Sequence, residues 1–389
     1  MNDLKEKKKV ENKLILKRLI IISILFLIVL VVANYVANED ARQFINKNIL
    51  RKQLDENTIK SIEINSDENP VIFGFNKYIC VFSKNELKFY DSTTNIINTL
   101  NIEVSKPIMK SKGNYLLIAE EEGKSIYLIK NTNLIWKNEI EGNISSINVN
   151  ENGYVSMVIS DNTYKSIVYT YNPEGTQLFK YYLSTSLALG TDISKDNKYL
   201  VLGEIDFSGI KVKSKLKVIS MDLAVSNPKN STIKEYEEKE GRTIVSLKFS
   251  KNNEIIAMYN DSIIKYKEDA NEQVLEINED SIFVDISPKN NIISFEKESS
   301  GKFSFKYKVK IKEEQSLAES FYVLNSSIPK KVITNPNVIA MNFGTEVKII
   351  STNAWLIKEY KSSKQIKDIV LGESILGIIY KDRVEIINF

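Results

Sequence analysis

"YTYNPEGTQLFKYY", residues 169–182, decides how the rest of the chain is read. Aromatic and aliphatic residues flank a bend that holds Pro173 and Gly175. That order predicts two short strands pinched by a tight turn. Comparable units recur at "KFYDSTTNIINTLNI" (88–102), "YLIKNTNLIWKNEI" (127–140), "IKYKEDANEQVLEI" (264–277) and "KIISTNAWLIKEY" (348–360). A second type of hairpin precedes each of them, as in "PIMKSKGNYLLIAE", "INVNENGYVSMVIS", "TDISKDNKYLVLGE", "VSLKFSKNNEIIAMY" and "VDISPKNNIISFEK". Its turns carry Asn, Asp and Gly, the residues that tolerate positive φ.

Two hairpins per unit make four short strands. Units start near residues 71, 108, 146, 190, 244, 282 and 331, a spacing in the range of propeller blades. The tail, "QIKDIVLGESILGIIYKDRVEIINF", supplies only three strands, and "TIKSIEIN" (58–65) can supply the fourth. Pairing the two ends in one blade closes the ring and removes exposed sheet edges. The expected fold is therefore an all-β propeller of eight four-stranded blades over 58–389. Seven is the alternative count if a boundary between about 300 and 335 is misplaced.

Residues 19–36 carry no charge and are long enough to cross a hydrocarbon core of roughly 30 Å as a helix. A lysine-rich head (1–18) precedes this segment (19–37), and Glu39 and Asp40 follow it. The positive-inside rule then places the head in the cytoplasm and the remainder outside. A signal peptide cut after the small residues near Val31 and Ala33 is the rival reading, although the apolar run exceeds a usual signal core. Residues 38–57, with Phe44, Ile45, Ile49 and Leu54 near helical spacing, are expected to form a short amphipathic helix as a stalk.

Composition excludes several function classes. The 389 residues contain no histidine, which removes Ser-His-Asp triads and histidine metal sites. The single cysteine, Cys80, excludes an intramolecular disulfide and a thiolate metal site, and its apolar setting in "KYICVFS" predicts a small core residue. The formal net charge of +3 is uneven: residues 1–37 carry +4 and the rest −1. Such a domain lacks the basic footprint of a nucleic-acid binder. Neither a phosphate-binding GxxxxGK[ST] run nor an EF-hand loop is present. No cofactor or metal is expected, the Asp and Asn of "SDNTYKS", "SKDNKY" and "NSDEN" being read as turn residues.

Three carboxylates stand out. Asp192, Asp285 and Asp368 occur in "TDIS", "VDIS" and "KDIV", at the expected first and innermost strand of three units. From there they can face the central channel, which makes them candidate binding residues, or an acid/base set without histidine. Two strands are basic: Lys211, Lys213, Lys215 and Lys217 share one face, and Lys306, Lys308, Lys310 and Lys312 share another. Period-2 alternation is expected to turn these lysines to solvent, available to an anionic polymer or lipid headgroups. "AVSNPKNSTIKEYEEKEGR" (224–242) reads as a projecting polar loop.

The segments "NPEGTQLFK" and "NTNLIWK" resemble the turn-then-apolar segment of quinoprotein-like and WD40-like propellers. The sequence lacks the Ala-x-Asp and Thr-Gly-Lys elements of the first and the Gly-His…Trp-Asp pair of the second. The whole layout is similar to uncharacterised clostridial-type single-pass membrane proteins with an extracytoplasmic propeller. The resemblance implies fold and location and carries no functional residue with it. The expected role is a non-catalytic interaction or ligand-binding scaffold at the cell envelope, with an envelope protein as partner. A sensor signalling through the anchor and a glycan-acting enzyme using channel carboxylates are the alternatives.

Overall fold

The computed structural model describes residues 2–37, 45, 49–50, 53–54, 59–207, 212–237, 241–250, 252–267, 272–277, 281–299, 305–324 and 327–389. A helix, Asn2–Ala37, is followed by eight antiparallel sheets of four strands each, one of which gains a fifth. In blades 1 to 7 the strands follow chain order. The opening segment forms the third and fourth strands of blade 3, Ser166–Tyr171 and Gln177–Leu183. Gly175 has φ +83°, and its N–H donates to the Asn172 carbonyl at 3.0 Å. The bend packs over the preceding blade: Trp136 Nε1 donates to the Pro173 carbonyl and Asn138 Nδ2 to the Gly175 carbonyl. A Cβ on Gly175 would lie 2.8 Å from the Trp136 ring, so glycine is required twice over.

The first strand of each blade is the innermost. These are Val71–Phe75, Pro107–Lys112, Asn143–Val149, Ser186–Ile193, Ile244–Phe249, Ser281–Ile286, Lys331–Thr334 and Asp368–Leu371. Those of blades 8 and 1 touch, which closes the ring. Gly74 makes that approach possible, because a Cβ there would lie 2.1 Å from the Leu371 carbonyl oxygen. Blade 8 consists of Asp368–Leu371, Ile375–Ile379 and Arg383–Asn388, completed by Lys60–Glu63 from the other end of the domain. Ile62 is buried there against Val384 and Ile386. Burying such a side chain contributes about 2–3 kcal/mol to the closure.

Each middle strand is covered on both faces by neighbouring blades. Runs such as Tyr115–Glu120, Val155–Ser160 and Val338–Asn342 are accordingly buried on successive residues rather than alternate ones. Cys80 is fully buried, as its setting implies, and burial pushes its thiol pKa well up.

Two expectations need correction. The stalk lies largely outside the described residues, but Gln53–Leu54 is a strand rather than part of a helix. It pairs in parallel with Glu359 and Tyr360 on the outer edge of blade 7. The expected loop at 224–242 is ordered secondary structure in large part. A helical turn, Met221–Ser226, capped by the Ser220 hydroxyl, buries Met221 and Ala224, and Thr232–Glu237 is the outermost strand of blade 4.

Candidate functional site

The first hairpin of each blade sets the register of the channel wall. In blades 3 to 6 the turn opens at Asn150, Ser194, Ser250 and Ser287, whose N–H groups close onto Tyr154, Tyr199, Glu254 and Asn291. Two residues before each of these stands Asn148, Asp192, Lys248 and Asp285. Four consecutive blades thus place a polar side chain at the same level. At the same register, blades 7 and 8 have Ile333 and Val370, two residues before Asn335 and Gly372. The wall is polar on one side and apolar on the other.

Asp192 is the centre of the polar side and is only 1% exposed. Its Oδ1 accepts Asn148 Nδ2 of blade 3 at 3.1 Å and lies 3.5 Å from Lys112 Nζ of blade 2. Its Oδ2 accepts the backbone N–H of Phe249 in blade 5 at 2.8 Å. One carboxylate therefore ties four blades together. The cost of burying it is offset by these three donors.

Lys248 is held differently. Its ammonium donates to the backbone carbonyls of Ile286, at 3.1 Å, and Ser287. Among the described residues no carboxylate lies within 4.0 Å of it. Burial lowers its pKa to about 8; Asp285 and Asp192 oppose the shift and Lys112 adds to it. Burial also raises the Asp285 pKa, against the pull of the Ile286 N–H and Lys248.

The structure places two of the three predicted carboxylates, Asp192 and Asp285, at the same level in blades 4 and 6 and the third elsewhere. Asp368 pairs with Ile379, two residues further from its turn than Asp192 or Asp285 is from theirs. "KDIV" is therefore not the equivalent of "DIS". Asp368 sits instead with Lys331 of blade 7, whose Nζ lies 2.7 Å from its carboxylate. Lys112, Asn148 and Lys248 are candidate functional positions that the carboxylate pattern of the sequence does not reveal. Asn148 and Lys248 share with Asp192 and Asp285 a pattern of polar residue, apolar residue and then Ser or Asn, "NVN", "DIS", "KFS" and "DIS", which Lys112 in "KGN" does not have.

The basic strands also differ from expectation. Lys211 lies outside the described residues, and Lys213 and Lys306 are exposed. The others turn inward between blades. Lys215 meets Glu237 at 3.2 Å, and Lys217 meets the buried Glu204 at 2.6 Å. Lys308 and Lys310 meet Glu296 at 3.1 and 2.7 Å. Lys310 also reaches Glu276 of blade 5 at 2.9 Å, and Lys312 lies 3.8 Å from Glu276. The alternation argument assumed one solvated face, which the third strand of a blade does not have.

The matching family model, described as a family of unknown function (DUF5711), covers residues 50–389. The chain belongs to this family. Its DUF5711 region is the propeller together with the end of the preceding segment. No curated protein matches the sequence. Porphyromonas gingivalis dipeptidyl peptidase 4 is similar with a TM-score of 0.56 and 10% identity, over 85% of this chain and 58% of that one. Dihydro-heme d1 dehydrogenase NirN in complex with DHE gives 0.52 and 8%, over 82% and 71%. Chaetomium thermophilum Sqt1 bound to the N-terminus of the ribosomal protein L10 gives 0.50 and 12%, over 85% and 100%. At these identities the likeness shows the propeller fold alone, and a fold does not imply function.

Proposed function

We propose that this DUF5711 protein is a non-catalytic interaction scaffold, anchored by its N-terminal helix, with the head in the cytoplasm and the propeller outside. The observation that carries the reading is the commitment of Asp192. Its carboxylate is buried and engaged by three donors from three other blades, so it serves assembly rather than acid/base chemistry. Asp368, at a different level and paired with Lys331, does not complete a carboxylate pair with it. The anchor rests on one apolar helix, Lys17–Val36, with no part buried against the domain. The lysine-rich head supports the orientation. A closed ring presents its turns as rigid loops, the usual seat of recognition on such a scaffold.

The test is cross-linking in intact cells followed by purification of the full-length chain. Recurrent recovery of one envelope protein, lost when residues 58–389 are removed, is expected. Efficient cross-linking that returns no recurrent protein overturns the scaffold reading.

A further inference from the structure

Beyond an interaction role, we propose that the central channel binds a free aliphatic carboxylate, its head at Lys248 and Lys112 and its chain along Leu189, Val245 and Ile282.

The apolar part comes from a repeated irregularity. In blades 3 to 6 the innermost strand bulges at Ser145, Leu189, Val245 and Ile282, each three residues before the polar position of the same strand. A bulge leaves its extra residue unpaired and re-aims the side chain. In blades 4 to 6 that residue is apolar and exposed: 39% for Leu189, 60% for Val245 and 46% for Ile282. Leu187, also exposed, extends the arc. Three residues along a strand span about 10 Å. The apolar arc and the charged level are thus separated by roughly the length of a medium aliphatic chain.

The head group follows from charge. At the charged level Lys112 and Lys248 balance Asp192 and Asp285, and Lys110, two residues from Lys112 on the blade 2 strand, leaves one positive charge over. On blades 7 and 8 Lys331 and Asp368 cancel. Among the described residues Lys248 donates to backbone carbonyls and meets no carboxylate within 4.0 Å, and Lys112 spends only a long 3.5 Å contact on Asp192. A single carboxylate supplies the missing anion and gains strong charge-assisted hydrogen bonds. Room for it is present at Gly190, where an added Cβ would meet nothing within 4 Å.

Octanoate is the probe, titrated by calorimetry into the full-length protein in lipid nanodiscs, with empty nanodiscs subtracted. Saturable binding is expected, with octanol at least tenfold weaker. Lys248→Met removes the charge and Gly190→Leu fills the open space; each should weaken octanoate at least tenfold. Ile97→Asp, on the outermost strand of blade 1, should bind as the parent does. The site is overturned if no saturable binding exceeds the empty discs, or if Lys248→Met and Gly190→Leu both bind as the parent does. Neither result touches the scaffold reading, which is judged by protein recovered from cells rather than by octanoate.

Discussion

The Asp192 carboxylate accepts the backbone N–H of Phe249 at 2.8 Å, so a side chain of blade 4 completes the main chain of blade 5. Phe249 is the last residue of its innermost strand and is buried. A buried N–H left without an acceptor costs about 1–3 kcal/mol, and more when charged partners lose their counter-charge as well.

Asp192→Ala should therefore destabilise the domain by about 3 kcal/mol, and Asp192→Asn by about half of that, measured by urea unfolding. Asp368→Ala, which removes a half-exposed pair with Lys331, should cost less than about 1 kcal/mol. Equal effects at the two positions would contradict the difference in their roles.

Most of the architecture was legible in the sequence because each turn carries its own chemistry. Asn and Gly stand at positive φ in the turns, as at Gly113, Asn197, Asn253 and Asn290. The closing pair was legible because Arg383–Asn388 lacked a neighbour that Lys60–Glu63 could supply. What failed was the reading of faces. "TIKEYE" has no consistently apolar side, so the outer strand of blade 4 resembled a loop. The lysine strands resembled a solvated face because their counter-charges come from elsewhere in the chain, as Glu276 does for Lys310. Lys217 and Lys308 pair within their own blade, with Glu204 and Glu296 on the adjacent strand, a match that depends on strand register rather than on local sequence. Asp368 stands four residues before its turn and Asp192 and Asp285 only two before theirs, a difference that the shared Asp-Ile pair conceals.

The buried Lys310 should matter through what it leaves behind. Burial works against a charged Glu296, but hydrogen bonds from Lys310 and Lys308 more than offset it and hold its pKa below the usual carboxylate range. The folded-state pKa is thus lower than the unfolded one. The associated stability is present above pH about 4.3 and is lost as pH falls through the folded value. Lys310→Met should cost about 2 kcal/mol near neutrality, since it leaves Glu296 with Lys308 alone and Glu276 with the long contact to Lys312. It should also flatten the acid limb of the stability curve. An unchanged slope below pH 5 in the variant would show that the pair does not govern acid unfolding.

Lys248 is shifted in the same direction, but because its charged form is the protonated one, the shift costs stability at neutral pH. Its folded pKa, about 8, lies below the unfolded value of about 10.4. The unfolded chain then binds more protons between these limits, and stability rises with pH across that window. Lys248→Met should be more stable than the parent at pH 7 and should lose this rise. Both carbonyls that Lys248 touches lie beside the turn at 287–291, where the Ser287 carbonyl keeps the Asn290 N–H as a partner. Urea midpoints at pH 7 and pH 9 read the effect, and a parent whose stability is flat between them would refute it.

The native thiol makes a topology experiment simple. Cys80 is fully buried and burial raises its pKa, so the parent should not react with a membrane-impermeant maleimide. Glu141→Cys places a thiol at a site where the side chain is 89% exposed, between blades 2 and 3. It gives up one surface ion pair with Lys180, worth about 0–1 kcal/mol. Asn12→Cys places one in the lysine-rich head. In intact cells the first variant should be labelled and the second only after permeabilisation. The reverse pattern would put the propeller in the cytoplasm. Labelled Glu141→Cys protein appearing in the medium, shorter by the N-terminal segment, would mean that the helix is a cleaved signal.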